Sequence, residues 1–155
     1  MEQRTPLINH IILADDDQDH GYLFELALKQ VDPSKLLTIA KDGEELLNLL
    51  TDVLPEILFL DLNMPCKNGL ECLQEIRKNS DFEGLKVIVY SSSSKMSDIQ
   101  KSYVHKADLY MVKPFNTEHL RNALDIVLKK DLWQASVFKD HYYINNKLVP
   151  FTAQA

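Results

Sequence analysis

The sequence predicts an α/β domain: a doubly wound five-stranded parallel sheet with helices on both faces. Three observations predict it. The runs Ile11-Ile12-Leu13-Ala14, Ile57-Leu58-Phe59-Leu60, Val87-Ile88-Val89-Tyr90 and Leu109-Tyr110-Met111-Val112 are continuously apolar, the pattern of strands covered on both faces. Helical patterns separate them, and right-handed crossovers then place helices on both sides of a parallel sheet. Each run also stops at a charged or hydroxyl residue: Asp15, Asp61, Ser91 and Lys113. Those stops would share one edge of the sheet, where open α/β sheets bind ligands.

The elements follow in order. After the first strand and Asp15-Asp16-Asp17, the residues Tyr22, Leu23, Leu26 and Leu28 recur with helical spacing, and Val31-Asp32-Pro33 stops that helix. Leu37-Thr38-Ile39-Ala40 is a second short strand. Gly43 precedes a helix carrying Leu46, Leu47, Leu49 and Leu50 that ends before Pro55. The third strand meets Asp61, and Asn68-Gly69 opens a helix with Leu70, Leu73 and Ile76 inward, closing near Asn79-Ser80. A shorter helix is expected from Ser97 to Lys106. Asn116-Thr117-Glu118 caps a fifth, with Leu120, Ala123, Leu124, Val127 and Leu128 along it. Residues 7–130 complete the domain, and residues 131–155 form a C-terminal extension too short for an independent effector domain.

The totals exclude several classes. A chain of 155 residues with 45% hydrophobic residues has room for one core. Its net charge of −6 and lack of any Lys/Arg run argue against direct nucleic-acid binding. No apolar stretch approaches the roughly 20 residues that cross a bilayer, so no membrane partner is expected. The two cysteines, Cys66 and Cys72, make neither a disulfide framework nor a zinc pattern, which fits a reducing, cytoplasmic location. Cys66 reads as an inert loop thiol in the absence of a neighbouring cation or partner cysteine.

Folding must bring Asp15 and Asp16 to Asp61. Clustered carboxylates repel, and hard oxygen ligands at a partly open corner suit Mg²⁺, which keeps several waters and shares a phosphate oxygen. Lys113 adds a positive charge, and the Ser91 hydroxyl offers a hydrogen bond. Together they suit a phosphoryl group whose acceptor is a carboxylate. Asp61 is the best nucleophile because it stands alone at its strand end, whereas Asp15 and Asp16 are adjacent and placed to share the metal.

The series Asp15-Asp16, Asp61-Leu62-Asn63-Met64-Pro65 with Gly69, Ser91-Ser92, and Tyr110-Met111-Val112-Lys113-Pro114-Phe115 resembles the receiver domain of two-component response regulators. The set falls in family order over about four-fifths of the chain. The resemblance implies the flavodoxin-like receiver topology and a single-domain response regulator, a phosphoprotein of phosphorelay signal transduction, not an enzyme acting on other substrates. It makes Asp61 the phosphoacceptor, supplied by a sensor histidine kinase or a histidine phosphotransfer protein. It assigns Mg²⁺ to Asp15, Asp16, Asp61 and the Asn63 backbone carbonyl, and pairing with the phosphoryl group to Ser91 and Lys113. It implies a cis Lys113–Pro114 bond and makes Tyr110 an aromatic switch that turns inward as Ser91 moves toward phosphate. Its output surface is residues 95–130, which would contact a downstream protein or a second copy of the chain.

The competing class is a Mg²⁺-dependent phosphohydrolase with an aspartyl-phosphate intermediate. Such enzymes carry a second Asp two residues after the nucleophile, where this chain has Asn63. A flavin binder would need a Gly-rich or Ser/Thr-rich phosphate loop after the first strand, where three aspartates stand instead. The extension, with Trp133, Phe138, Tyr142, Tyr143 and Phe151, is more aromatic than a typical disordered linker. Tyr142 to Val149 fits either a hairpin about Asn145-Asn146 or a flexible tail, and as a hairpin the extension would pack on the fifth helix or on a second subunit.

Overall fold

A computed structural model of the chain describes residues 9–114 and 116–151. The expected domain start at residue 7 and Phe115 of the lysine-bearing motif therefore lie outside the described residues. The sheet is doubly wound as expected, but it has seven strands, not five; in spatial order they are the second, first, third, fourth, fifth, sixth and seventh of the chain, parallel except for the last. Strands β1 (His10–Ala14), β2 (Leu36–Ala40), β3 (Ile57–Leu60), β4 (Lys86–Ser91) and β5 (Leu109–Val112) are the five read from sequence. Strands β6 (His141–Ile144) and β7 (Lys147–Pro150) come from the extension. β6 pairs parallel with β5, setting Tyr110 beside Tyr142, and β7 returns antiparallel to β6.

Successive strand residues point to opposite faces, so each run feeds two cores. Ile12, Leu58, Val87, Val89 and Tyr110 join one, with Leu46 and Leu50 of α2 (Gly43–Asp52), Leu73 and Ile76 of α3 (Gly69–Lys78), and Ile99 of α4 (Met96–Val104). Ile11, Leu13, Phe59, Ile88 and Met111 join the other, against α1 (Gln18–Val31) and α5 (Thr117–Val127). There Phe24, Phe59 and Tyr90 meet edge to face, with centroids 4.9, 5.6 and 6.1 Å apart.

Helix starts follow local chemistry. Asp17, Asp42, Asn68 and Asn116 cap α1, α2, α3 and α5 by accepting backbone N–H bonds, and Asn68 with Glu71 completes a capping box. Of the four residues whose spacing marks α1 in the sequence, only Leu28 faces inward. Tyr22, Leu23 and Leu26 are exposed, while Gly21, Phe24, Ala27 and Leu28 are buried. Phe24, Ala27 and Leu28 satisfy the same helical spacing, and Gly21 lets the helix approach Ile39 of β2. Among the described residues no peptide bond is cis, so the expected cis Lys113–Pro114 bond is instead trans. Trans is the ordinary form, favoured for X–Pro by roughly 0.5–1 kcal/mol.

Through residue 151 the extension folds onto the domain. Within the short α6 (Lys130–Gln134), Trp133 donates its indole N–H to the Val127 carbonyl at 2.7 Å and meets Phe138 edge to face. The hairpin turns at Asn145 and Asn146, whose φ values of 50° and 66° are the left-handed pair a type I′ turn requires. The Asn146 Oδ1 accepts from the Tyr143 hydroxyl at 2.9 Å and from Asn122 of α5 at 3.2 Å. Tyr143 is fully buried, and Phe151 stacks on Tyr103 of α4 at 5.2 Å. Among the described residues no helix is long and apolar enough to cross a membrane.

Candidate phosphoacceptor corner

Backbone pairing continues one residue beyond each strand and so aligns the polar stops. The Asp15 N–H donates to the Ala40 carbonyl at 2.9 Å, the Asp61 N–H to Ala14 at 2.9 Å, and the Lys113 N–H to Ser91 at 2.8 Å. These positions flank the point where the chain order reverses across β1 and β3, the crevice where doubly wound sheets take ligands. Gly69 is required beneath them. A Cβ there would lie 2.0 Å from the Asp61 carbonyl oxygen, so only glycine lets the start of α3 pack under the loop after Asp61.

The corner brings together three carboxylates and one ammonium. Asp15, Asp16 and Asp61 each offer an oxygen, all within 4.8 Å of one another. Asp15 and Asp61 are buried and Asp16 is exposed, so the cluster opens to solvent on the Asp16 side. Lys113 donates to Asp15 Oδ2 at 2.7 Å and to Asp61 Oδ2 at 3.0 Å, with its own side chain only 8% exposed. The other oxygens are also engaged: Asp15 Oδ1 accepts from the Asp17 N–H at 2.9 Å, and Asp61 Oδ1 from the Asn63 N–H at 3.2 Å.

Burial pushes the Asp61 carboxyl above its ordinary range. The charge and hydrogen bond of Lys113 oppose that rise, and the negative charge of Asp15 adds to it. Asp17, the third residue of the acidic triplet, is a helix cap. Its carboxyl is held below the ordinary range chiefly by the His20 backbone N–H, and it lies outside the three-carboxylate cluster.

Ser91 is fully buried at the end of β4, and its Oγ accepts from the Ser93 N–H at 3.2 Å. Ser92 is exposed and lines, with Lys113, His119 and Asn145, a cleft of about 210 Å³ between the strand-end loops and the hairpin turn. Tyr110 is fully buried, with its hydroxyl donating to the Ser93 carbonyl at 2.8 Å. Its backbone N–H donates to the Tyr103 hydroxyl at 3.1 Å, and that hydroxyl donates in turn to the His141 carbonyl of β6.

Two participants escaped the sequence reading. Tyr103 couples α4 to β5 and β6. His20 lies in the first turn of α1 with its Nδ1 2.9 Å from the Lys113 Nζ. Its signal was its place in the first turn of a helix capped by Asp17, which returns the side chain to the strand end. The cysteines stay outside the chemistry: Asp42 raises the exposed Cys66 thiol, and burial pushes buried Cys72 up to about 11.

Comparison with known proteins identifies the family to which the fold and sequence belong. The family described as "Response regulator receiver domain" matches residues 11–125. The transcriptional regulatory protein MalR of Bacillus subtilis is 32% identical over 138 residues, which are 89% of this chain and 56% of MalR. The chain spans about half the length of the first curated relatives it matches. The phosphorylated cyanobacterial phytochrome response regulator RcpA superposes with a TM-score of 0.72 at 26% identity, covering 83% of this chain and 95% of RcpA. The Mn²⁺-bound response regulator Rcp1 superposes at 0.70 with 27% identity, covering 81% of this chain and 94% of Rcp1. With the strand-end carboxylates, the lysine and the doubly wound sheet in one place, the chain belongs to the response regulator receiver domains of two-component systems.

Proposed function

We propose that the chain accepts a phosphoryl group on Asp61 from a phosphohistidine of a sensor histidine kinase or phosphotransfer protein, and signals by protein contact. The observation that carries this reading is the Lys113 ammonium bridging two buried carboxylates beside a third carboxylate open to solvent. An Asp61 carboxylate oxygen attacks phosphorus, the bond from phosphorus to the donor imidazole nitrogen breaks, and the imidazole leaves with the electron pair. Lys113 exchanges its bond to Asp61 for one to a phosphoryl oxygen, and the Ser91 hydroxyl donates to another.

The donor set fits a hard divalent cation. Three carboxylates face one lysine, and an incoming phosphoryl group would add negative charge to a corner already carrying an excess of it. Asp15, Asp16 and Asp61, with the Asn63 backbone carbonyl, would hold Mg²⁺. When bound, Mg²⁺ supplies charge neutralisation at the phosphoryl oxygens.

Residues 7–130 are proposed as the receiver and 131–155 as an appendage to its sheet. Signal output is assigned to residues 95–130 together with the hairpin laid against β5, for an unidentified downstream protein or a second copy of the chain. Tyr110, paired in register with Tyr142, is the proposed link from the corner to that surface.

Incubation with acetyl phosphate and Mg²⁺ followed by intact-mass measurement tests the reading. It predicts one labile phosphoryl adduct, absent in Asp61→Asn, and no turnover of phosphomonoesters. Rapid multiple turnover of such esters would instead establish the phosphohydrolase.

A further inference from the structure

We propose that His20 is a positioning residue for Lys113, its Nδ1 holding the ammonium at the mouth of the acidic corner. This rests on the phosphoacceptor reading above. An ammonium has three N–H donors and no lone pair. Asp15 Oδ2 at 2.7 Å, Asp61 Oδ2 at 3.0 Å and His20 Nδ1 at 2.9 Å account for three acceptors. The ring nitrogen must accept in this contact, so the imidazole is neutral with its proton on Nε2. That nitrogen lies on the side of Asp17, 3.7 Å from Oδ2.

The three acceptors pull in different directions. The Asp15 and Asp61 side chains are 0% and 8% exposed and draw the ammonium inward, whereas the His20 side chain is 39% exposed and draws it toward solvent. A phosphoryl group must enter from the solvent side. The Tyr90 ring, 5.3 Å from the ammonium, closes another side with a π face and no lone pair. When the phosphoryl group forms on Asp61, Lys113 has to exchange one bond. With Asp15 and His20 holding the other two N–H groups, that exchange is a short pivot in place of a search, and orientation of this kind lowers the barrier.

Two measurements on the full chain test this. Long-range ¹H–¹⁵N spectra of the imidazoles at mildly alkaline pH are expected to show His20 as the Nε2–H tautomer. Its Nδ1 resonance should shift in Lys113→Met. Phosphorylation by acetyl phosphate with Mg²⁺, followed by intact mass, is expected to slow about three- to tenfold in His20→Leu. His20→Asn should restore the rate, because its Oδ1 occupies the place of the ring Nδ1, whereas His20→Gln, whose acceptor replaces Nε2, should not. A proton on Nδ1, an Nδ1 resonance unmoved in Lys113→Met, or His20→Leu at the wild-type rate would each overturn the assignment. An adduct that never forms on the wild-type chain would overturn the phosphoacceptor reading and the kinetic role with it, and the spectra would still decide whether the ring holds Lys113.

Discussion

The acidic corner and the C-terminal hairpin flank the same strand ends, yet they are held by opposite means. In the corner, burial works against the charges: Asp61 is desolvated beside Asp15, and Lys113 only partly offsets the cost. In the hairpin, burial is the stabilising force, with Phe138, Tyr143 and Phe151 inside and a turn whose two asparagines accept left-handed backbone readily. The corner holds three carboxylates against one ammonium, an excess of negative charge that only added positive charge would offset. The hairpin holds no such excess, and it fixes the edge of the sheet on which the corner opens.

The largest effect that separates the two regions is Asp61→Asn. It is expected to abolish the phosphoryl adduct while raising stability at neutral pH in cation-free buffer. The sign follows from proton linkage. A carboxyl whose folded pKa is raised binds its proton more tightly in the native state than in the unfolded chain. Its contribution therefore falls as pH climbs from the ordinary carboxylate range through the folded value, and the penalty persists above it. Thermal unfolding across a pH series should show the variant more stable by a few degrees at neutral pH, with the gap closing below the ordinary carboxylate range. A variant less stable than wild type at neutral pH would mean that Asp61 is a net stabiliser.

Truncation after Lys130 acts on the other region. Trp133, Phe138, Tyr143 and Phe151 are lost together, and the β5 edge is uncovered. Full burial of a large apolar side chain contributes about 1.5–3 kcal/mol, and the ordering entropy of the removed segment offsets much of the sum. A net loss of about 2–4 kcal/mol is expected in urea unfolding, with a smaller denaturant slope because less surface is exposed. Unchanged midpoint and slope would show the hairpin to be stability-neutral.

The same contrast explains what was legible in the sequence. Asp15, Asp61, Ser91 and Lys113 could be read because each ends a short apolar run, and a run's end is a local signal. The caps at Asn68 and Asn116 and the turn at Asn145-Asn146 are local too. The face of α1 was not, since Tyr22, Leu23 and Leu26 satisfy helical spacing as well as Phe24, Ala27 and Leu28, and only packing chooses between them. Nor were the sixth and seventh strands of the sheet. The sequence left the hairpin level with a flexible tail, because its parallel pairing with β5 joins Tyr110 to Tyr142 across more than a helix of intervening chain. His20 was missed for a related reason: its partner, Lys113, lies at the far end of the fold in sequence and next to it in space.

Tyr103→Phe probes the joint between the regions. The hydroxyl accepts from the Tyr110 N–H and donates to the His141 carbonyl, so its removal leaves one donor and one acceptor without that partner. The stack on Phe151 is retained. A loss of about 1–2 kcal/mol is expected, with faster hydrogen exchange at the Tyr110 amide than at other β5 amides. Equal exchange along β5 would mean that the hydroxyl does not tie the hairpin to the strand.

The smallest effect comes from the turn, where substitution separates backbone strain from side-chain bonding. Asn146 sits at φ 66° and its Oδ1 accepts from Tyr143 and Asn122. Asn146→Gly keeps the conformation and loses both bonds, whereas Asn146→Ala loses the bonds and adds a Cβ in left-handed backbone. The difference between the variants isolates the backbone cost, expected at about 1–2 kcal/mol in favour of Gly. The difference between Gly and the parent then reports the anchoring of the turn to α5 and Tyr143, expected at about 1 kcal/mol or less after the greater unfolded-state freedom of glycine is included. Chemical denaturation of the three proteins measures both. Should Ala and Gly prove equally stable, the turn would not hold position 146 in left-handed backbone in solution, and the pairing of β6 with β7 would have to be set by packing of Tyr143 alone.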